Sequence, residues 1–121
     1  MPKKLKDKLN FYDMNHTINI KPLSVNQAYR GKKFRTDKYD SFIYNMMLLL
    51  PETIEIPNPD YIKLDIEFGF STKLSDLDNP VKTFVDCLVK RYGFDDRHIY
   101  ELTVIKKIVK KCKEYIKFEV N

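Results

Sequence analysis

From Tyr61 to Phe70 apolar and charged positions alternate: Ile62, Leu64, Ile66, Phe68 and Phe70 fall on one side, Lys63, Asp65 and Glu67 on the other. Successive side chains of an extended chain point to opposite faces, so YIKLDIEFGF (61–70) predicts a half-buried strand. The same period recurs three times. HTINIKP (16–22) alternates Ile18 and Ile20 with polar neighbours and ends at Pro22. HIYELTVIKKIV (98–109) sets Tyr100, Leu102, Val104 and Ile108 on one side, and EYIKFEV (114–120) does so with Ile116, Phe118 and Val120. The lysine-rich link KKCK (110–113) predicts an antiparallel hairpin between these last two strands.

Two segments switch to helical spacing. Tyr39, Phe42, Ile43, Met46, Leu49 and Leu50 recur every three or four residues, with Thr36 as N-cap, Asp37 in the first turn and Pro51 as the stop. Val81, Phe84, Val85 and Leu88 form a second stripe running to about Arg91. Asn79 and Pro80 predict its N-cap and first residue, and Gly93 its end. LSVNQAYRGKKFR (23–35) reads as a loop, and PNP (57–59) punctuates another. Residues 1–15 form a basic leader in which Leu5, Leu9 and Tyr12 suit either a short amphipathic stripe or a frayed end. The predicted domain, 16–121, is α+β in the order β-α-β-α-β-β, a mixed sheet with two helices packed on it.

Composition narrows the class. A chain of 121 residues, 43% of them hydrophobic, builds one core. No apolar run approaches the roughly 20 residues of a membrane span. MPKKLKDKLN has no apolar stretch of the kind a secretory signal needs. Cys87 and Cys112 lack CxxC spacing, and with only His16 and His98 beside them they exclude the usual zinc motifs. Cys87 follows Phe84 by one helical turn, the place of a buried thiol, and a reducing cytoplasm is the expected compartment. The net charge of +5 is compatible with a nucleic-acid partner. Lysine supplies 18 of the 22 basic residues and alanine appears once, a bias an AT-rich genome also produces.

Against that positive balance, carboxylates crowd the middle of the chain. SDLDNPVK (75–82) has aspartates two apart, and YGFDDRH (92–98) adds another pair. In extended geometry Asp76 and Asp78 share a face while Leu77 turns to the core. Two like charges so close are stabilised by a cation between them, and hard ions such as Mg²⁺ prefer carboxylate oxygens. Lys82 in the following helical turn would set a fixed positive charge beside the metal, an arrangement suited to phosphoryl chemistry. The same residues also read as a solvated turn, with Lys82 and Asp86 an exposed i,i+4 pair and Asp95–Asp96 a turn and cap. An EF-hand loop is excluded, because Val81 stands where its glycine is needed and Cys87 where its glutamate should be.

DLDNPVKTFVDCLVKRYGFDDRHI (76–99) resembles the signature of the RusA family of Holliday junction resolvases: D-x-D-N-x-x-K opening a helix, Asp-Ala/Cys-Leu within it, and an Asp pair before a strand. IKPLSVNQAYRGKKFR (20–35) resembles that family's strand, Pro- and Asn-containing loop and basic segment. The resemblance covers about residue 16 to the C-terminus. It implies a dimeric endodeoxyribonuclease dependent on Mg²⁺, with Mn²⁺ as a substitute. Asp76, Asp78 and Asp96 would be its metal-binding catalytic residues and Lys82 its catalytic lysine. Asp86, which also matches an acidic position, is read as helix support. The segment between Asp86 and the Asp pair is one residue shorter than the family's, which leaves the choice between Asp95 and Asp96 open. The leader has no counterpart.

The implied substrate is a four-way DNA junction in a bacterial or phage-infected cytoplasm. Its two-fold symmetry would match a homodimer making paired nicks that leave 5′-phosphate and 3′-hydroxyl ends. Tyr29, Arg30, Lys32, Lys33 and Arg35, with Lys73, are the candidate DNA contacts, cations reaching phosphates and aromatic rings stacking on an opened base. The alternative from another class is a branched-DNA binder or protein-interaction module of the same fold that does not cut.

Overall fold

The computed structural model describes residues 15–30 and 34–121. Its elements run β1 (Asn15–Ile18), α1 (Val25–Ala28), β2 (Tyr29–Arg30), β3 (Phe34–Arg35), α2 (Asp37–Leu49), β4 (Ile62–Phe70), α3 (Val81–Tyr92), a 3-10 turn (Asp96–His98), β5 (Ile99–Ile108) and β6 (Tyr115–Val120). The expected α+β order is present, and the segment read as a loop also carries the four-residue α1 and the short β2–β3 pair. The leader, 1–14, lies outside the described residues.

Among the described residues the main sheet has four strands in the order β1-β6-β4-β5. β6 runs antiparallel to both β1 and β4, whereas β5 runs parallel to β4. The expected β5–β6 hairpin is therefore corrected: β4 lies between the two strands, and residues 109–114 cross its end. Burial explains the exchange. Ile62, Leu64, Ile66, Phe68 and Phe70 are all buried, so β4 takes an interior position with partners on both edges. Leu102, Ile105 and Ile108 are about half exposed, and β5 takes the rim. The short 110–113 turn places Cys112 at φ +70°, in the left-handed region.

A register shift between Ile62 and Lys63 corrects a second expectation. Ile62 pairs with Ile99, but Lys63 pairs with Glu101, so Tyr100 leaves the side it was assigned. Its ring stacks on Tyr61 at 4.6 Å instead. Beyond the shift Leu102, Val104 and Ile108 lie opposite Leu64, Ile66 and Phe70 on the helix-bearing face, as expected.

Helix α2 begins where Thr36 accepts a hydrogen bond from the Tyr39 amide at 3.3 Å, and Tyr39, Phe42 and Met46 are buried. Leu49, expected in that stripe, is exposed, because the helix ends there and the extended Leu50 turns back into the core. Helix α3 ends at Gly93, whose φ of +77° is strained for any residue with a side chain. Its Phe84 ring packs edge-on to Phe68 and Phe118, joining helix to sheet. Tyr92 donates to the Pro51 carbonyl at 2.7 Å, tying the end of α3 to the end of α2. Cys87 is a buried free thiol, as expected, and burial pushes its pKa up to about 12.

Gly69 serves close approach. The Tyr115 ring, opposite it on β6, crosses the place a Cβ would occupy and carries its hydroxyl to Glu67. Gly69→Ala is predicted to destabilise the protein by about 1–3 kcal/mol through overpacking. Urea unfolding checks it: combined with Tyr115→Ala, the substitution should cost less than the two single effects added.

Candidate functional site

Strand β4 delivers the chain into residues 71–80, a series of turns ending at α3. Lys106 of β5 reaches over this segment, donating to the carbonyls of Lys73 at 2.9 Å and Ser75 at 2.5 Å. The Phe70 ring lies under the same ammonium, 5.9 Å from its centroid. On the other side Ser71 bonds Glu114. That bond first, and the Lys21 charge after it, hold the Glu114 carboxyl below its usual range. The segment is thus tied to the edge strand and to the 109–114 crossing.

Asp76 and Asp78 are both exposed on this segment. Asn79 donates its side-chain amide to Asp76 at 3.0 Å, and the Asp78 carbonyl accepts from Val81. Two local expectations are corrected. Asn79 does not cap α3: Pro80 holds the cap position and no side chain bonds the helix end, since Asn79 is engaged with Asp76. Leu77 is 40% exposed and does not turn to the core, because this stretch is a turn whose side chains do not alternate between two faces. Lys82, in the first turn of α3, lies 3.6 Å from the half-buried Asp86, an i,i+4 pair of the kind worth about 0.3–0.5 kcal/mol at a helix surface.

The second acidic pair sits elsewhere. Asp95 caps the 3-10 turn by accepting from the Arg97 amide at 2.9 Å, and its carboxylate also takes the Arg97 guanidinium at 2.7 Å. These hydrogen bonds bring the Asp95 pKa down to about 2. Asp96 is exposed and its carboxylate accepts no hydrogen bond among the described residues. Both precede β5, which starts opposite Ile62, whereas Asp76 and Asp78 follow Phe70. Asp76 and Asp78 thus lie beyond one end of β4 and Asp95 and Asp96 at the other. A single chain does not bring Asp96 to Asp76 and Asp78. In keeping with this, no three His, Cys, Asp or Glu side chains among the described residues gather to hold a metal. The exposed carboxylates of Asp76 and Asp78 have the donor chemistry that suits a hard cation.

Asp76 and Asn79 line a cleft of about 400 Å³ whose far wall includes Lys21, Asn26 and Gln27. These three, with Lys106 and Thr83, were not singled out from the sequence, because only the fold sets them beside the aspartates. Of the DNA-contact candidates, Lys73 is exposed on the Asp76 segment. Tyr29 and Arg30 pair in backbone register with Arg35 and Phe34. Lys32 and Lys33 lie outside the described residues.

No protein-family model matches the chain, and no curated protein matches it. Among the described residues no helix is long and apolar enough to cross a membrane.

Thr83 fixes the cleft's two walls. It is fully buried, and its hydroxyl reaches the Leu23 carbonyl at 2.5 Å and that of Pro80 at 2.9 Å, joining the 21–27 segment to the start of α3. Thr83→Val should cost about 1–3 kcal/mol in urea unfolding by leaving the Leu23 carbonyl without a donor, and Thr83→Ser, which keeps the hydroxyl, should cost less.

Proposed function

We propose that the protein is a Mg²⁺-dependent, structure-specific endodeoxyribonuclease that nicks four-way DNA junctions as a homodimer in the cytoplasm of a bacterial or phage-infected cell. The observation that carries this reading is the Asp76-x-Asp78 turn running into α3 beside an open polar cleft. The resemblance of residues 76–99 to the RusA signature supports it.

Asp76 and Asp78 are the residues that would hold the ion from one chain. A hard divalent cation, when bound, neutralises charge on a non-bridging phosphate oxygen and lowers the pKa of its water. The chain's own groups do the rest. Lys82 stands one helical turn beyond Asp78, where its ammonium meets negative charge building on the phosphate. No side chain caps α3, so the positive end of its dipole opens toward the same segment. Asp96 is favoured over Asp95 as the third acidic residue, because the Asp95 carboxylate is already taken by Arg97. Lys73 on the segment and Lys21 and Asn26 across the cleft supply contacts to the DNA backbone.

Two experiments test the reading. Asp78→Asn is expected to fold and to bind a synthetic four-way junction normally, while Mg²⁺-dependent nicking falls by about two orders of magnitude or more. Equal nicking by variant and wild type would remove Asp78 from the chemistry, and no nicking by the wild type would favour the non-cutting binder. Lys32→Glu with Lys33→Glu should make the log–log salt dependence of junction binding shallower by about 0.9 for each phosphate these lysines neutralise. An unchanged slope would remove the basic segment from the DNA surface.

A further inference from the structure

The segment that carries Asp76 and Asp78 buries very little. Thr72, Lys73, Leu74, Asp76, Leu77 and Asp78 are all exposed, Leu74 by 91%. Apolar packing therefore does not fix its path, and hydrogen bonds must. Those within it are local: the Leu74 amide donates to the Thr72 hydroxyl at 3.2 Å, Asn79 reaches Asp76, and Val81 donates to the Asp78 carbonyl. Among the described residues, the hydrogen bonds that join 73–76 to another element come from the Lys106 ammonium, which holds the carbonyls of both residues flanking Leu74. Lys106 itself occupies a position that favours an apolar side chain. It is half-buried on the helix-bearing face, opposite Phe68 and between Val104 and Ile108 along that side of β5. An ammonium is stable there only where its lost hydration is replaced, here by two carbonyl dipoles and the Phe70 ring. A methionine would cover the same surface without that demand. What only the ammonium supplies is the hold on the two carbonyls.

We propose that Lys106 is the positioning residue of this segment, setting the backbone from which the Asp76 and Asp78 carboxylates project. The inference rests on the endonuclease reading above and adds the residue that holds its donors in place. The Ser75 carbonyl belongs to the peptide unit whose nitrogen is that of Asp76, so holding it places the Asp76 Cα through one planar group. Released from Lys106, the two carboxylates would sample many separations, and a cation would have to order them on binding, which lowers its affinity. The Lys106 ammonium is engaged by carbonyls of its own chain, so its role is not to meet phosphate. Its loss acts on metal affinity and kcat and leaves DNA affinity alone.

Trypsin reads the hold directly, because the Lys73 carbonyl that Lys106 engages is the one trypsin attacks. Lys106→Met keeps the length of the stem and removes the charge. In this variant native-state cleavage after Lys73, followed by mass spectrometry, is expected to rise by about tenfold or more with far-UV circular dichroism unchanged. Cleavage at the wild-type rate overturns the proposal. In the same variant Mn²⁺ affinity, by electron paramagnetic resonance, and kcat for junction nicking should each fall by about tenfold or more, with KM for the junction unchanged. A raised KM with kcat intact would make Lys106 a DNA contact and equally overturns it. Lys106→Arg keeps the charge on a wider, planar head. Its nicking is expected to follow its protection after Lys73, and an open segment with wild-type nicking would make charge, not placement, the agent. A wild type that neither nicks nor binds Mn²⁺ sinks the endonuclease reading, while cleavage after Lys73 still decides whether Lys106 positions the segment.

Discussion

The parallel ladder between β4 and β5 is the constraint from which the rest of the arrangement follows. Parallel neighbours cannot be joined by a tight turn, so the chain must leave one end of β4, return along α3 and re-enter at the other end. Everything polar in the middle of the sequence is distributed by that path. Asp76, Asp78 and Lys82 stay at the exit, and Asp95 and Asp96 are carried to the entrance. The ladder itself is secured by apolar burial along β4 and by Phe84, which holds α3 against Phe68 and Phe118.

Given that frame, the exit segment is shaped by polar contacts. Lys106 lies opposite Phe68 on the helix-bearing face, where an apolar residue would be ordinary, and directs its ammonium to two carbonyls of the aspartate segment. Thr83 secures the opposite wall from inside the core. Between these anchors Asp76 and Asp78 remain exposed and open to a ligand, an unfavourable way to arrange like charges unless something cationic arrives. The proposed chemistry starts from that exposure.

Much of this was legible in the chain itself. Strict alternation specifies β4, and the Thr36 cap, the Pro51 stop and Gly93 bound the helices, because these signals are local. Partner choice among strands is not local: β5 and β6 read as a hairpin, and only their unequal burial decides that β4 separates them. The cap at Asn79 failed for a similar reason, since a neighbouring carboxylate competes with the helix end and takes the Asn79 side chain. The candidate aspartates could be picked out by spacing, but sequence spacing is silent on which end of a sheet each reaches. Nearness along the chain, eighteen residues from Asp78 to Asp96, hid their placement at opposite ends of β4.

The most direct test is the position of Mn²⁺ in crystals of the wild-type protein, found from its anomalous scattering. The expected result is an ion bound by the carboxylates of Asp76 and Asp78 at the start of α3. An ion bound away from Asp76 and Asp78, or no ion at all, would contradict it.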